Sequence, residues 1–192
     1  MKDNTDEQVL KKQYRTTNNL DTRRNLHSYN TKNVHLEITT ETCIFEAKKA
    51  IDIREITAAD YNDIYLLSKE LGYDYPIEKV KERIDYILKN TEDIVLVAQK
   101  DDEVIGYIHG SPYELLYSDS LINILGFVVK EKYRNCGVGN LLINKLEYLS
   151  KGKGYSGIRL VSGADRLNAH KFYERHGYIN RKSQKNFIKM FD

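Results

Sequence analysis

Arg134, Gly137 and Gly139 fall within six residues of one another in "EKYRNCGVGNLLIN" (131–144), just after the apolar run "LINILGFVVK". An arginine and two glycines between a buried strand and a helix start have a definite chemical use. The first backbone N–H groups of a helix lack internal partners, and the helix macrodipole places roughly +0.5 charge beside them. Glycines let a large anion approach the backbone closely, so phosphate or pyrophosphate is the fitting guest. The stretch is not a nucleotide P-loop, because no Gly-Lys-Ser/Thr follows four variable residues after a glycine. Nor is it the dinucleotide fingerprint, since Leu142 stands where the third glycine would be. A tight strand-to-helix turn carrying a surface arginine explains the same string without any ligand.

The surrounding pattern shows what must hold this turn. Residues 1–47 are polar, rich in Asn, Thr and charge, and read as an extension that is helical if it docks. From residue 48 to 192, strand and helix signals alternate. "IDIREI" alternates like a half-buried strand, and Thr57 is placed to cap the helix that follows. Ile64, Leu67, Ser68 and Leu71 share one face of that helix, and Gly72 ends it. Pro76 suits the first turn of a second helix, striped by Ile77, Val80, Ile84, Ile87 and Leu88. "DIVLVAQKDDEVIGYIHG" reads as a hairpin joined at Lys100, Asp101 and Asp102.

"SLINILGFVV" is continuously apolar, as a central strand covered on both faces should be, and Gly126 within it signals a bulge or close backbone approach. The helix expected at 137–150 buries Val138, Leu141, Leu142, Leu146 and Leu149. "GIRLVS" is a further strand, "DRLNAHKFYERHG" a further helix stopped by Gly177, and "YINRKSQKNFIKMF" a closing strand pair. The order predicts a mixed α/β domain.

Composition narrows the classes. A net charge of +2 gives no general reason to expect nucleic acid. Cys43 and Cys136 cannot build a disulfide framework, and no C-x-x-C pair offers a zinc site. No apolar stretch is long enough to span a bilayer, and "MKDNTDEQVLKKQYR" has no apolar signal core, so a cytoplasmic protein without membrane or nucleic-acid partners is expected.

"VVKEKYRNCGVGNLLINKLE" closely resembles the acetyl-CoA signature of the GCN5-related N-acetyltransferases (GNATs), an apolar strand followed by Arg/Gln-x-x-Gly-x-Gly/Ala. "RLVSGADRLNAHKFYERHGY" resembles the family's later strand and helix, and both motifs stand in the family's order. The resemblance implies the GNAT fold, a splayed central sheet flanked by helices. It also implies direct acetyl transfer from acetyl-CoA to a primary amine, with no metal. Carried over by position, Phe127, Val128 and Val129 would pair main chain with the pantetheine arm. A main-chain N–H of residue 128 or 129 would face the reacting carbonyl oxygen. Arg134, Asn135, Cys136, Gly137, Val138, Gly139 and Asn140 match the pyrophosphate loop, with Cys136 an ordinary loop residue. Tyr173 matches the tyrosine that in many relatives faces the CoA sulfur, where a neutral phenol serves as general acid.

The chain also departs from the family. Many relatives carry a basic glutamate on the central strand, whereas Asn123 occupies that position here. Glu114 and Asp119 in the "SPYELLYSDS" linker, and His109 at a strand end, are the candidate bases, each with a structural alternative. Arg166 stands where many relatives have asparagine; it and His170 either serve CoA or brace the helix. Tyr73, Asp74 and Tyr75 in "LGYDYPIEKV" border the acceptor site in this fold and suit an amine, or are loop decoration. The architecture resembles the branch of small-amine and aminoglycoside-type enzymes, so a small-molecule amine is the expected substrate. A protein or peptide acetyltransferase and a catalytically weak CoA-binding module are the alternatives. Residues 18–32 resemble the N-terminal helix and loop of some bacterial class I methyltransferases, but no S-adenosylmethionine domain follows. An arm exchanged within a homodimer is the extension's other reading.

Overall fold

In the computed structural model, which describes residues 51–191, the signals from residue 52 onward become regular elements. The extension expected at residues 1–47 lies outside the described residues. The described residues form two units, 51–159 and 160–191.

The first unit is built on a sheet whose strands lie side by side in chain order. These are β1 (Asp52–Glu55), β2 (Ile94–Lys100), β3 (Glu103–Leu115), β4 (Ser118–Val129) and β5 (Gly157–Leu160). Strands β1 to β4 pair antiparallel. Strand β5 runs parallel to β4: the Ser156 N–H donates to the Ser120 carbonyl at 3.0 Å and Arg159 reaches Asn123, so the numbers rise together. The mixed sheet expected of the GNAT fold is therefore present. The β2–β3 turn places Asp101 and Asp102 at φ 48° and 62°. That left-handed pair matches the twist of a tight hairpin, and aspartate tolerates it better than most residues.

A second hairpin replaces the expected linker. "SPYELLYSDS" contributes to both β3 and β4, with Leu116 and Tyr117 at the turn and Leu115 paired with Ser118. Cross-strand pairs such as Pro112–Ile122 and Tyr113–Leu121 override its loop-like composition. Beyond them the register slips: Gly110 pairs with Ile124 but His109 with Gly126, leaving Leu125 as the extra residue of a bulge. Leu125 is 58% exposed, so β4 is not covered on both faces along its whole length as the apolar run suggested.

Helices α1 (Tyr61–Glu70) and α2 (Ile77–Asn90) share a core with one face of the sheet. Ile64, Leu67, Val80 and Ile84 pack with Val95, Val97, Val104 and Val128. Helix α3 (Val138–Gly152) packs against β2 and β3 and buries Leu142, Ile143 and Leu146 completely. Ile143 widens the predicted stripe, while Leu141 and Leu149 are only half-buried. Gly110 permits the close approach of α3, since a Cβ there would lie 2.7 Å from Ile122 and 3.0 Å from Leu146.

In the second unit, α4 (Leu167–Arg175) ends at Gly177, which takes φ 81° while the Tyr178 N–H returns to the Tyr173 carbonyl at 3.0 Å. The expected strand pair over 178–191 does not form. Its link "RKSQK" has no glycine or asparagine to take the left-handed positions of a tight hairpin. Among the described residues, no helix is long and apolar enough to cross a membrane.

Candidate active site

The loop from β4 to α3 is the stretch in which the sequence places the anion cradle. After Val129 the chain makes a 3-10 turn at Glu131–Tyr133, then takes left-handed backbone at Asn135 (φ 63°) and Gly137 (φ 86°) before α3 begins at Val138. The Leu141 N–H donates to the Gly137 carbonyl at 3.2 Å, so the N–H groups of 138, 139 and 140 precede the helix's own bonding. Nothing lies within 4 Å of where a Gly137 side chain would project. Unbonded helix-start donors beside open space fit a pyrophosphate group. Cys136, within the loop, is buried and disulfide-bonded, so it is not a free nucleophile.

Arg134 does more than supply charge. Its Nε donates to the Val129 carbonyl at 3.0 Å, and its guanidinium meets Glu70 of α1 at 3.1 Å. The same carboxylate oxygen accepts the Glu131 N–H at 3.0 Å. Glu70 therefore ties α1 to both ends of the 3-10 turn. At the start of the loop, Glu103 holds Lys130 and Lys132, and the Lys130 hydrogen bond keeps the Glu103 carboxyl below the usual range.

The end of β4 offers a second feature. β5 stops at Leu160, with Arg159 beside Asn123, so β4 from Leu125 onward has no strand partner on that side among the described residues. Ladder parity decides which amides face the opening. The Lys130 N–H donates to Ile105 of β3 at 2.8 Å, so Val128, two residues earlier, also points toward β3. Phe127 and Val129 point the other way, as the Val129 carbonyl confirms by accepting from Arg134. Of the two amides expected from sequence, 129 faces the opening and 128 does not. Phe127 joins it.

The candidate bases separate clearly. Glu114 and Asp119 sit on strands at the far end of the β3–β4 hairpin, where Glu114 accepts from Ser120 at 2.6 Å. At about 3.3 Å per residue, Asp119 lies about 25 Å along β4 from Phe127. His109 is in the middle of β3, not at its end, and pairs directly with Gly126. Its Nε2 is 2.7 Å from the Asp93 carboxylate, and both side chains are largely buried. With Nε2–H donating to Asp93, Nδ1 carries the lone pair. Asn123 accepts from Arg159 at 2.8 Å, and that guanidinium stacks 4.3 Å from the Tyr113 ring. The position of the family's glutamate is thus structural here.

Tyr107, two residues before His109 and on the same face of β3, had no counterpart in the sequence reading. Its ring lies across β4 at Gly126, where a Cβ would sit 3.1 Å from the ring and 3.3 Å from the hydroxyl. Burial raises the pKa of this phenol, with Ser68 close enough to pull it partly back. The period of two along β3 could have revealed Tyr107, since it must share a face with His109. Nothing local could have revealed Asp93 or Glu70, which arrive from other elements.

In the second unit, Tyr173 lies on α4 with its ring 5.6 Å from Phe172 and 5.8 Å from Tyr178. Burial raises its pKa despite the opposing charge of Arg166, so the phenol is protonated at neutral pH. His170 Nε2 lies 2.9 Å from the Gly163 carbonyl, and the His170 N–H donates to the carbonyl of Arg166, the residue that opens α4. The His170 ring contact ties the helix start to Gly163. Among the described residues, no group of three His, Cys, Asp or Glu side chains is placed to hold a metal ion.

The model of the acetyltransferase (GNAT) family matches residues 52–178. An uncharacterized N-acetyltransferase of Methanocaldococcus jannaschii is 23% identical over 155 residues, covering 77% of this chain and 69% of the relative. Among solved structures, an aminoglycoside N-acetyltransferase in complex with CoA superposes with a TM-score of 0.66 at 19% identity, covering 72% of this chain and 94% of its own. A GNAT family acetyltransferase of Staphylococcus aureus gives 0.62 at 25% identity, covering 74% and 99%.

Proposed function

The chain belongs to the GNAT acetyltransferase family, and from that premise we propose that it transfers acetyl from acetyl-CoA to the primary amine of a small molecule. The observation that carries this reading is the junction of β4 and α3. It joins the end of β4, which runs past its pairing with β5, to a helix start whose first N–H groups precede the helix's own bonding. The aminoglycoside acetyltransferase among its structural neighbours supports a small-molecule amine.

When bound, acetyl-CoA supplies the acetyl group, its C–S bond breaking as the C–N bond to the amine forms. The N–H groups of residues 138–140 would hold the pyrophosphate, with Arg134 keeping the loop in shape. The Val129 N–H, which points away from β3, would receive negative charge developing on the carbonyl oxygen. His109, oriented by Asp93, takes the proton that the amine nitrogen gives up. Tyr173, protonated at neutral pH, supplies one to the departing sulfur.

The Arg159–Asn123 contact in place of a strand carboxylate favours one rival, a CoA-binding module with little turnover. Thiol release from acetyl-CoA, measured against a panel of small amines and peptides, tests both readings. Amine-dependent release supports the enzyme. CoA binding without release from any acceptor leaves the module, and release with peptides alone moves the substrate to proteins.

A further inference from the structure

Between α1, α2 and the sheet lies a cleft of about 180 Å³ that contains both Tyr107 and His109. Its walls are otherwise almost wholly apolar, formed by Ile64, Val80, Ile84, Ile87 and Val95. No carboxylate lines it. Asp93, the acid that meets the cleft's histidine, is engaged with His109 at 2.7 Å, and the charged residue on the wall is Arg83, a cation stacked 4.8 Å from Tyr86.

Resting on the acetyltransferase reading above, we infer that this cleft receives the acceptor and selects a compact apolar monoamine, a single ring or short branched chain on a primary amine. Size comes first. An apolar cavity of about 150 Å³ admits a benzene ring. The cleft therefore encloses one ring and a short tail, and the further linked rings of an aminoglycoside would lie outside it.

Charge points the same way. A polycation entering these walls would lose water from several ammonium groups and find no carboxylate to replace it. Arg83 would repel it further. A monoamine brings one ammonium, whose proton is removed at His109, and its apolar body gains from leaving water. The Tyr107 hydroxyl, held over Gly126, lies where the cleft meets β4 and can accept or donate to the amine as it passes.

The test uses the full chain with acetyl-CoA and compares 2-phenylethylamine, spermidine and kanamycin by thiol release. The inference expects kcat/KM for 2-phenylethylamine to exceed that for spermidine and kanamycin by at least about tenfold. Preference for either polycation overturns the substrate class while leaving the acetyltransferase reading intact. Binding of 2-phenylethylamine to the CoA-saturated protein, measured by calorimetry, separates the two ideas. Ile87→Phe, at a half-buried wall position, should weaken it at least about tenfold with CoA affinity unchanged. Undiminished binding in that variant removes the cleft from the site. Binding that Ile87→Phe abolishes, with no thiol release from any amine, supports the cleft and overturns the enzyme. The exposed variant Arg83→Glu carries no folding risk from the core and should raise spermidine turnover several-fold. Unchanged spermidine turnover in Arg83→Glu overturns the electrostatic part of the selection.

Discussion

At the scale of single residues, the proposed chemistry depends on two proton carriers that can be separated by mutation. His109 and Asp93 form a pair in which one group takes the proton and the other fixes the ring. His109→Gln should lower kcat about 10²–10⁴-fold, the usual worth of a general base, with KM for acetyl-CoA unchanged. Asp93→Asn should fall less, and Asp93→Glu should recover part of the loss. Equal damage from all three variants would show a packing role. Tyr173→Phe keeps the ring and its contacts with Phe172 and Tyr178 while removing the acid. Its turnover should drop at least about tenfold when chemistry limits the rate. CoA affinity, read by calorimetry, should stay within error of wild type. Gly126→Ala would push on the Tyr107 ring, whose edge lies 3.1 Å from the added methyl. Steady-state kinetics should show KM for the amine rising more than KM for acetyl-CoA, and an unchanged amine KM would detach Tyr107 from the acceptor.

Among the elements, the β4–α3 junction is the part with the least tolerance. Gly137 takes φ 86° with open space where a side chain would project, so its requirement is conformational on the protein side. Valine there would cost roughly 1–2 kcal/mol of left-handed strain and would fill the space beside the helix-start donors. Calorimetry of Gly137→Val should show CoA affinity reduced at least about tenfold, in a fold that still melts cooperatively. Unaltered affinity would remove the loop from the cradle. The same junction shows how far pattern reading reaches. The apolar run, the glycines and the helix stripe were all legible, because backbone preference and amphipathicity are local properties. The brace from Glu70 was not, since α1 reaches this turn only after the chain has folded. The linker expected at "SPYELLYSDS" failed for a related reason: its strand character comes from cross-strand partners.

At the scale of the whole molecule, stability in the first unit includes one buried acid at the start of α1. Asp60 is 7% exposed, and its carboxylate accepts from Arg54 at 2.7 and 2.8 Å and from the Thr57 N–H at 2.7 Å. Burial alone would push this carboxyl up, but the Arg54 and Thr57 hydrogen bonds outweigh it and hold the folded-state pKa below the ordinary value. A depressed carboxyl stabilises the fold above its unfolded pKa and loses that contribution as pH falls through the folded one. Asp60→Ala should therefore destabilise by about 3 kcal/mol near neutrality, because it strands Arg54. Denaturant melts should show the gap from wild type narrowing as the pH is lowered below the ordinary carboxylate range. A gap independent of pH would mean that the ion pair contributes nothing.

By itself the sequence determined most of the succession of strands and helices, an irregularity of β4 close to Gly126, the glycine-bearing turn from β4 into α3 and the family. All of these follow from periodicity, glycine placement and short-range motif order. It also placed His109, Glu114 and Asp119 on one footing, because each is an acid or base close to the central strand in the chain. Only the tertiary structure separated them, by carrying two of them to a distant hairpin end and bringing Asp93 against the third. It likewise decided which β4 amides point away from β3 and that Asn123 accepts from Arg159. Strand register and contacts between distant elements set these outcomes, and a one-residue change in register would have reversed the choice of amide.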